Sequence, residues 1–132
     1  MTLEQYLLKA RRALASARLL LENGDIEGSC NRAYYAMFDA AHAALLRHQP
    51  GINPAETRTH NGLITAFGKH LIKTGLMTPE LGRVLNQVEQ IRLLADYTGE
   101  EIEPDKAAWA VEQASVFVET IQNSIRPKTL SD

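Results

Sequence analysis

The strongest constraint on the fold is the spacing of apolar residues, which recurs at threes and fours through successive segments of the chain. A period of about 3.6 residues is typical of amphipathic helices that bury one face. No segment of any length alternates apolar and polar residues as a half-buried strand would. The clearest stripe, in the first segment, consists of Tyr6, Leu7, Ala10, Ala13, Leu14, Ala17, Leu20 and Leu21.

Capping residues, glycines and prolines mark the ends of these helical segments. Thr2 is placed to cap the first helix, Gly24 to end it, and Thr78 with Pro79 to start the fourth. We therefore predict an all-α fold, an antiparallel bundle of four long helices and one shorter helix. The sequence predicts one domain over 1–126 and a flexible C-terminal tail over 127–132. The predicted helices cover about 3–23, 25–48, 56–73, 79–95 and 104–126.

Composition excludes several classes of function. A formal charge of −2 argues against nucleic-acid binding through bulk electrostatics, although it leaves room for a local basic patch. Cys30 is the only cysteine, so neither an intramolecular disulfide nor a cysteine-based zinc site can form. No apolar run approaches the roughly 18 residues of a membrane-spanning helix, and no secretory signal pattern is present. We expect a cytoplasmic protein that has no membrane association and binds no metal or cofactor.

The second predicted helix carries an unusual set of polar side chains. Asn31, Tyr35 and His42 share one face, and Asp39 lies near it. Tyr34 points about 100° away from Tyr35, so we expect Tyr34 in the core with its hydroxyl at the edge. Tyr35 suits a polar seam between helices, because a buried phenol needs a partner. For Asp39 and His42 a solvated face is favoured over a metal site, since two ligands are too few.

Two further polar groups lie later in the chain. His60, in the stretch THNG, follows a long connection at the start of the third helix. That position suits a cap, a phosphate ligand or an acid–base group. Arg92 and Asp96 are spaced to form an intrahelical ion pair, and Tyr97 follows them. The spacing leaves two interpretations open: a structural network that holds the fourth helix to the second, or a site.

Taken together, three stretches resemble the HEPN superfamily, and more narrowly its small stand-alone bacterial and archaeal branch. They are NRAYYAMFDAAHAALL (31–46), THNGLITAF (59–67) and RLLADY (92–97), and their order spans nearly the whole chain. The resemblance implies a helical bundle, commonly a homodimer, with the polar motif near the partner chain. It also implies a role in a toxin–antitoxin system, and a minimal nucleotidyltransferase is a common antitoxin partner in such systems.

The resemblance further implies a chemistry. Many members are metal-independent endoribonucleases that carry an arginine followed, after four to six residues, by a histidine. The arginine would bind the scissile phosphate, and the histidine would act as acid–base on the ribose 2′-hydroxyl. Here Tyr97 stands where the shortest version of that motif after Arg92 would have its histidine, so catalysis stays an open question. We expect His60 to complete a composite catalytic site with Arg92, Tyr97 and Tyr35. The residues expected to bind substrate or form the polar seam are Asn31, Arg32, Tyr35 and Asp96.

Two functions follow as hypotheses. The first is an RNA-binding or ribonuclease-like component of a toxin–antitoxin or nucleotidyltransferase-linked system. The alternative is a non-catalytic HEPN interaction module that binds a nucleotide or a minimal nucleotidyltransferase. In that case Tyr97 would be placed to accept a nucleotidyl group.

Overall fold

A computed structural model describes residues 1–125, which form five α-helices and no strand. The all-α prediction, with four long helices and one short one, is confirmed. The end of the predicted domain at residue 126 and the predicted tail over 127–132 lie outside the described residues. The helices are α1 (Leu3–Glu22), α2 (Ile26–His48), α3 (His60–Phe67), α4 (Pro79–Leu93) and α5 (Pro104–Ile125).

The starts of the first two helices follow from their capping residues. The Thr2 hydroxyl accepts a hydrogen bond from the Gln5 backbone N–H, and the Gln5 side chain accepts one from the Thr2 backbone. This reciprocal capping box satisfies amide groups that have no partner inside α1. Asp25 caps α2 in a related way, because its carboxylate accepts from the Gly28 backbone N–H.

The third predicted helix is the one that differs. The range 56–73 is divided between the end of a 3₁₀ turn (Pro54–Thr57), α3 itself, and a π-helical turn (Gly68–Ile72). The division arises because the Thr59 hydroxyl accepts from the Gly62 backbone N–H and so starts a new helix at His60. His60 is therefore the first residue of the short helix α3.

α2 is the centre of the bundle, because it packs against α1, α4 and α5 and also contacts α3. Its buried surface is rich in alanine, and these small side chains let neighbouring helices approach closely. Polar groups on such a central helix face protein on several sides and must find partners there. The fully buried alanines of α2 are Ala33, Ala36, Ala40, Ala41, Ala43 and Ala44. In the part of the chain described, no helix combines the length and apolarity needed to cross a membrane.

Candidate functional site

Arg92, in the last turn of α4, is a buried cation with 6% of its surface exposed. Its Nη2 donates to the Glu89 carboxylate at 3.2 Å, and its Nη1 donates to Asp96 at 2.9 Å. The guanidinium carbon lies 4.8 Å from the ring centroid of Tyr34 and 5.8 Å from that of Tyr35. Two carboxylates and two aromatic faces thus offset the cost of removing this charge from water.

The two carboxylates differ in their access to solvent. The Glu89 side chain is 6% exposed, whereas the Asp96 side chain is 39% exposed. Asp96 lies in a π-helical turn (Leu94–Thr98) that follows α4, and single π turns within helices are frequent at functional sites. Asp96 is therefore the partner of Arg92 that solvent can reach.

His60 brings an imidazole from α3 to the tyrosines of α2. Its Nδ1 lies 3.0 Å from the Tyr34 hydroxyl, and its Nε2 lies 3.5 Å from the Tyr35 hydroxyl. The ring also packs edge-on against Phe38, with centroids 5.1 Å apart. Tyr34 is fully buried with its hydroxyl at this polar contact, as the sequence predicted. His60, Tyr35 and Arg92 therefore meet in one cluster contributed by α3, α2 and α4.

The remaining predicted site residues are placed unequally. Arg32 extends the cluster, because its guanidinium carbon lies 5.1 Å from the Tyr35 ring centroid. Asn31 is peripheral and accepts a hydrogen bond from the Arg32 Nε at 3.4 Å. Tyr97 is 77% exposed, and within residues 1–125 it makes no side-chain hydrogen bond and no aromatic contact to the cluster. The structure thus separates Tyr97 from His60, with which the sequence grouped it.

Glu89 is the site residue that sequence reasoning missed. It lies three residues before Arg92 and between the buried residues Val88 and Ile91, so a carboxylate at a core-facing position of α4 was the available signal. Burial, and next the negative charge of Glu89, raise the pKa of the Tyr34 hydroxyl, which therefore stays protonated. Burial lowers the pKa of Arg92, but the charge and hydrogen bond of Glu89, together with Tyr35 and Tyr34, outweigh burial and leave that pKa raised. The cluster therefore holds a permanent cation beside a neutral phenol.

The predicted solvated face at Asp39 and His42 is wrong. Asp39 is buried, and burial raises its pKa although the charges of Lys9 and Arg32 act in the opposite direction. The His42 ring stacks on Tyr6 of α1, with centroids 4.5 Å apart. Its Nδ1 is buried and has no hydrogen-bond partner among the described residues. Burial, and next the charge of Lys9, lower the pKa of His42 to about 4. The packing of α1 over this face explains the difference.

Other chemistries find less support in this part of the chain. No group of three or more His, Cys, Asp or Glu among the residues described is arranged to hold a metal ion. The Cys30 thiol is fully buried, and burial raises its pKa to about 11. A thiolate nucleophile is therefore not formed there at neutral pH.

The fold and this cluster define an all-α protein of the HEPN class: the HEPN domain family model matches residues 3–124, and the chain belongs to that family. A UPF0332 protein of Thermotoga maritima is 33% identical over 125 residues, which cover 93% of this chain and 90% of that protein. A Methanocaldococcus jannaschii protein named "Putative toxin MJ0605" is 31% identical over 117 residues, 89% of this chain and 84% of its own. The UPF0332 protein glr0978 of Gloeobacter violaceus is 39% identical over 91 residues, 69% of this chain and 68% of its own. The resemblance inferred from the three stretches is confirmed.

The buried ion pair gives a stability prediction. Glu89→Gln removes a buried charge from beside Arg92, and we expect it to lower the free energy of unfolding by about 3 kcal/mol. Glu80→Gln is the matched control, because Glu80 and Arg83 form an exposed pair with the same spacing on the same helix. That control should cost less than about 0.5 kcal/mol. Urea unfolding followed by circular dichroism measures both, and equal losses would contradict the assigned role of Glu89.

His42 gives a prediction about pH. Its pKa is lowered in the folded chain from an ordinary value of 6.5 to about 4, so between these values the unfolded chain binds a proton that the folded chain does not. The contribution of His42 to stability is therefore present above about pH 6.5 and falls as the pH drops toward 4. His42→Phe, which can still stack on Tyr6, should lose less stability than the wild type between pH 7 and pH 4.5. Urea midpoints at both pH values test this; identical pH slopes for the two proteins would refute it.

Proposed function

We propose that this protein is a toxin-like HEPN component of a two-component system, and that it binds and cleaves RNA at the cluster of Arg92, His60 and Tyr35. The observation that carries the proposal is the meeting of a buried guanidinium, an imidazole and a phenol from three helices in one aromatic cluster. The Methanocaldococcus jannaschii relative with the name "Putative toxin MJ0605" supports the toxin-like assignment. The homodimer and the minimal nucleotidyltransferase antitoxin that the resemblance implies belong to the same proposal, as does the cytoplasmic location expected from the sequence.

Access to Arg92 defines how a phosphate would bind. Glu89 is buried beside the guanidinium, with 5% of its surface exposed, so solvent has little access to it. Asp96 is half-exposed and sits in the π turn. A phosphodiester would replace Asp96 on Nη1 and form the charge-assisted hydrogen bond that Asp96 now accepts. The cluster is then an arginine site that a carboxylate of the chain occupies until RNA displaces it.

The chemistry proposed for His60 is transesterification within the RNA. The ribose 2′-oxygen attacks the adjacent phosphorus, and the bond from phosphorus to the 5′-oxygen breaks. His60 Nε2, which faces Tyr35, takes the 2′-hydroxyl proton, and the departing 5′-oxygen receives a proton from solvent. The products are a 2′,3′-cyclic phosphate and a 5′-hydroxyl end. Arg92 stabilises the charge that develops on the phosphate oxygens.

Cleavage of a labelled single-stranded RNA tests the proposal, with EDTA or with Mg²⁺ and after removal of any co-purifying protein. We expect wild-type cleavage in both conditions and a loss of about 100-fold or more in His60→Gln. Arg83→Ala is the control, because Arg83 is an exposed arginine of α4 that is paired with Glu80. It should cleave like the wild type.

A second readout separates RNA binding from cleavage. Asp96→Asn removes the competing charge from Arg92, so fluorescence anisotropy should show tighter RNA binding than in the wild type. If the wild type cleaves in neither condition, the nuclease is refuted. If Asp96→Asn also leaves RNA binding unchanged, the proposed phosphate site at Arg92 is refuted as well.

The exposure of Tyr97 favours a second candidate function. At 77% exposure, in the π turn after α4, its phenol is open to a modifying enzyme. In this function Arg92 only holds α4 to α2, and the chain is a non-catalytic module that pairs with a minimal nucleotidyltransferase. The Tyr97 oxygen would attack the α-phosphorus of a nucleoside triphosphate. Pyrophosphate would leave, and the phenolic proton would pass to a base of the transferase.

Intact-mass spectrometry tests this second function after co-expression with a nucleotidyltransferase from the adjacent gene. We expect the wild type to gain the mass of one or more nucleotidyl groups and Tyr97→Phe to gain none. Tyr35→Phe is the control and should be modified like the wild type, since Tyr35 is half-buried in the cluster. An unmodified wild type, or modification retained in Tyr97→Phe, would rule out Tyr97 as the acceptor.

A further inference from the structure

An open groove lies between α4 and α5, on a face that the proposed chemistry does not use. α4 packs chiefly on α2 and makes few contacts with α5, which leaves a furrow of about 620 Å³. Ile91, Leu94 and Trp109 line it. Leu94 is 40% exposed and Trp109 is 38% exposed, so two large apolar side chains meet solvent in one groove. Grouped exposure of this kind marks interaction surfaces.

The rim of this groove is acidic. Glu103 and Asp105 border it, and an adjoining pocket of about 240 Å³ adds Glu100 and Glu101. Lys106 is the cation that lines both hollows. None of the four carboxylates forms an ion pair within residues 1–125. The rim therefore presents an excess of negative charge, four carboxylates against one lysine, around an apolar floor.

We propose that this groove is a docking surface for a protein partner that presents a cationic amphipathic helix. Aliphatic side chains of that helix would pack on Leu94 and Trp109, and its lysines or arginines would face Glu101 and Glu103. A helix laid in a groove is a common mode of recognition, in which a few apolar anchors supply affinity and charge supplies specificity. The same carboxylates repel the phosphates of RNA, so charge favours a basic protein segment over RNA as the occupant.

The docking surface lies next to the cluster of Arg92, His60 and Tyr35, and the π turn after α4 connects the two. Leu94 begins the π turn that carries Asp96 (Leu94–Thr98), so a helix seated on Leu94 contacts the turn that holds Asp96 against Arg92. Docking itself does not depend on RNA cleavage, and the experiment below is done without RNA.

Trp109 is the only tryptophan of the chain, so its fluorescence reports on the groove without a label. The probes are two synthetic helical peptides of about 18 residues with the same leucine face, one with lysines and one with glutamates on its polar face. We expect the lysine peptide to give a saturable blue shift of Trp109 emission that weakens with added salt. The glutamate peptide should give none.

Three variants of the full chain complete the test. Leu94→Ser removes an apolar anchor and Glu101→Lys reverses a rim charge, and each should weaken binding of the lysine peptide by about tenfold or more. Glu22→Lys, an exposed reversal at the end of α1, should leave binding unchanged. Circular dichroism verifies that each variant is folded.

Three outcomes would overturn the docking proposal. The first is no saturable binding of the lysine peptide, and the second is equal binding of both peptides. The third is a shift of Trp109 emission with protein concentration alone, accompanied by dimers in sedimentation, which would assign the groove to a second copy of the chain.

Discussion

The buried charge of Arg92 is the interaction on which the arrangement of this bundle depends. A guanidinium with so little exposure is tolerable only where carboxylates and aromatic faces replace water. Glu89 and Asp96 come from α4 and the turn after it, but the aromatic faces of Tyr34 and Tyr35 come from α2. The charge therefore stabilises one position of α4 along the central helix α2. Apolar contacts alone would specify that position less precisely.

The fold was predictable where a feature depends on neighbouring residues, and less so where it depends on how the helices pack. Helix starts at Thr2, Asp25 and Pro79 depend on local capping and proline geometry, so short-range sequence signals were sufficient. The interrupted third helix was not recognised, because Thr59 lies inside a stretch that continues the helical pattern. Asp39 and His42 were assigned to water for a different reason. The burial of Asp39 and the stacking of His42 on Tyr6 depend on where α1 crosses α2, and that is a tertiary property.

The candidate site was predictable to a similar degree. Arg92 and Asp96 pair through spacing on one helix, and His60 was identified by its place after a long loop. That His60 meets Tyr34 and Tyr35 depends on the packing of α3 against α2, which periodicity does not specify. Glu89 was missed although it lies at ion-pair spacing from Arg92, because that spacing does not show that the pair is buried. Its importance comes from the aromatic rings and the guanidinium around it.

The small net charge of the chain does not show that its acidic and basic residues lie on different parts of the surface. The formal charge of −2 combines an acidic rim between α4 and α5, at Glu100, Glu101, Glu103 and Asp105, with exposed basic residues on several sides of α1, at Lys9, Arg11, Arg12 and Arg18. Because fields of exposed charges decay over roughly 10 Å at ordinary ionic strength, each group acts on its own surroundings. By charge, the proposed docking groove favours a cationic partner, whereas the proposed site at Arg92 favours an anion. Asp96 connects the two proposed sites, because it is the more exposed carboxylate paired with Arg92 and also part of the turn that begins at Leu94. We therefore expect a change at this turn to affect the proposed phosphate site and the proposed docking groove together.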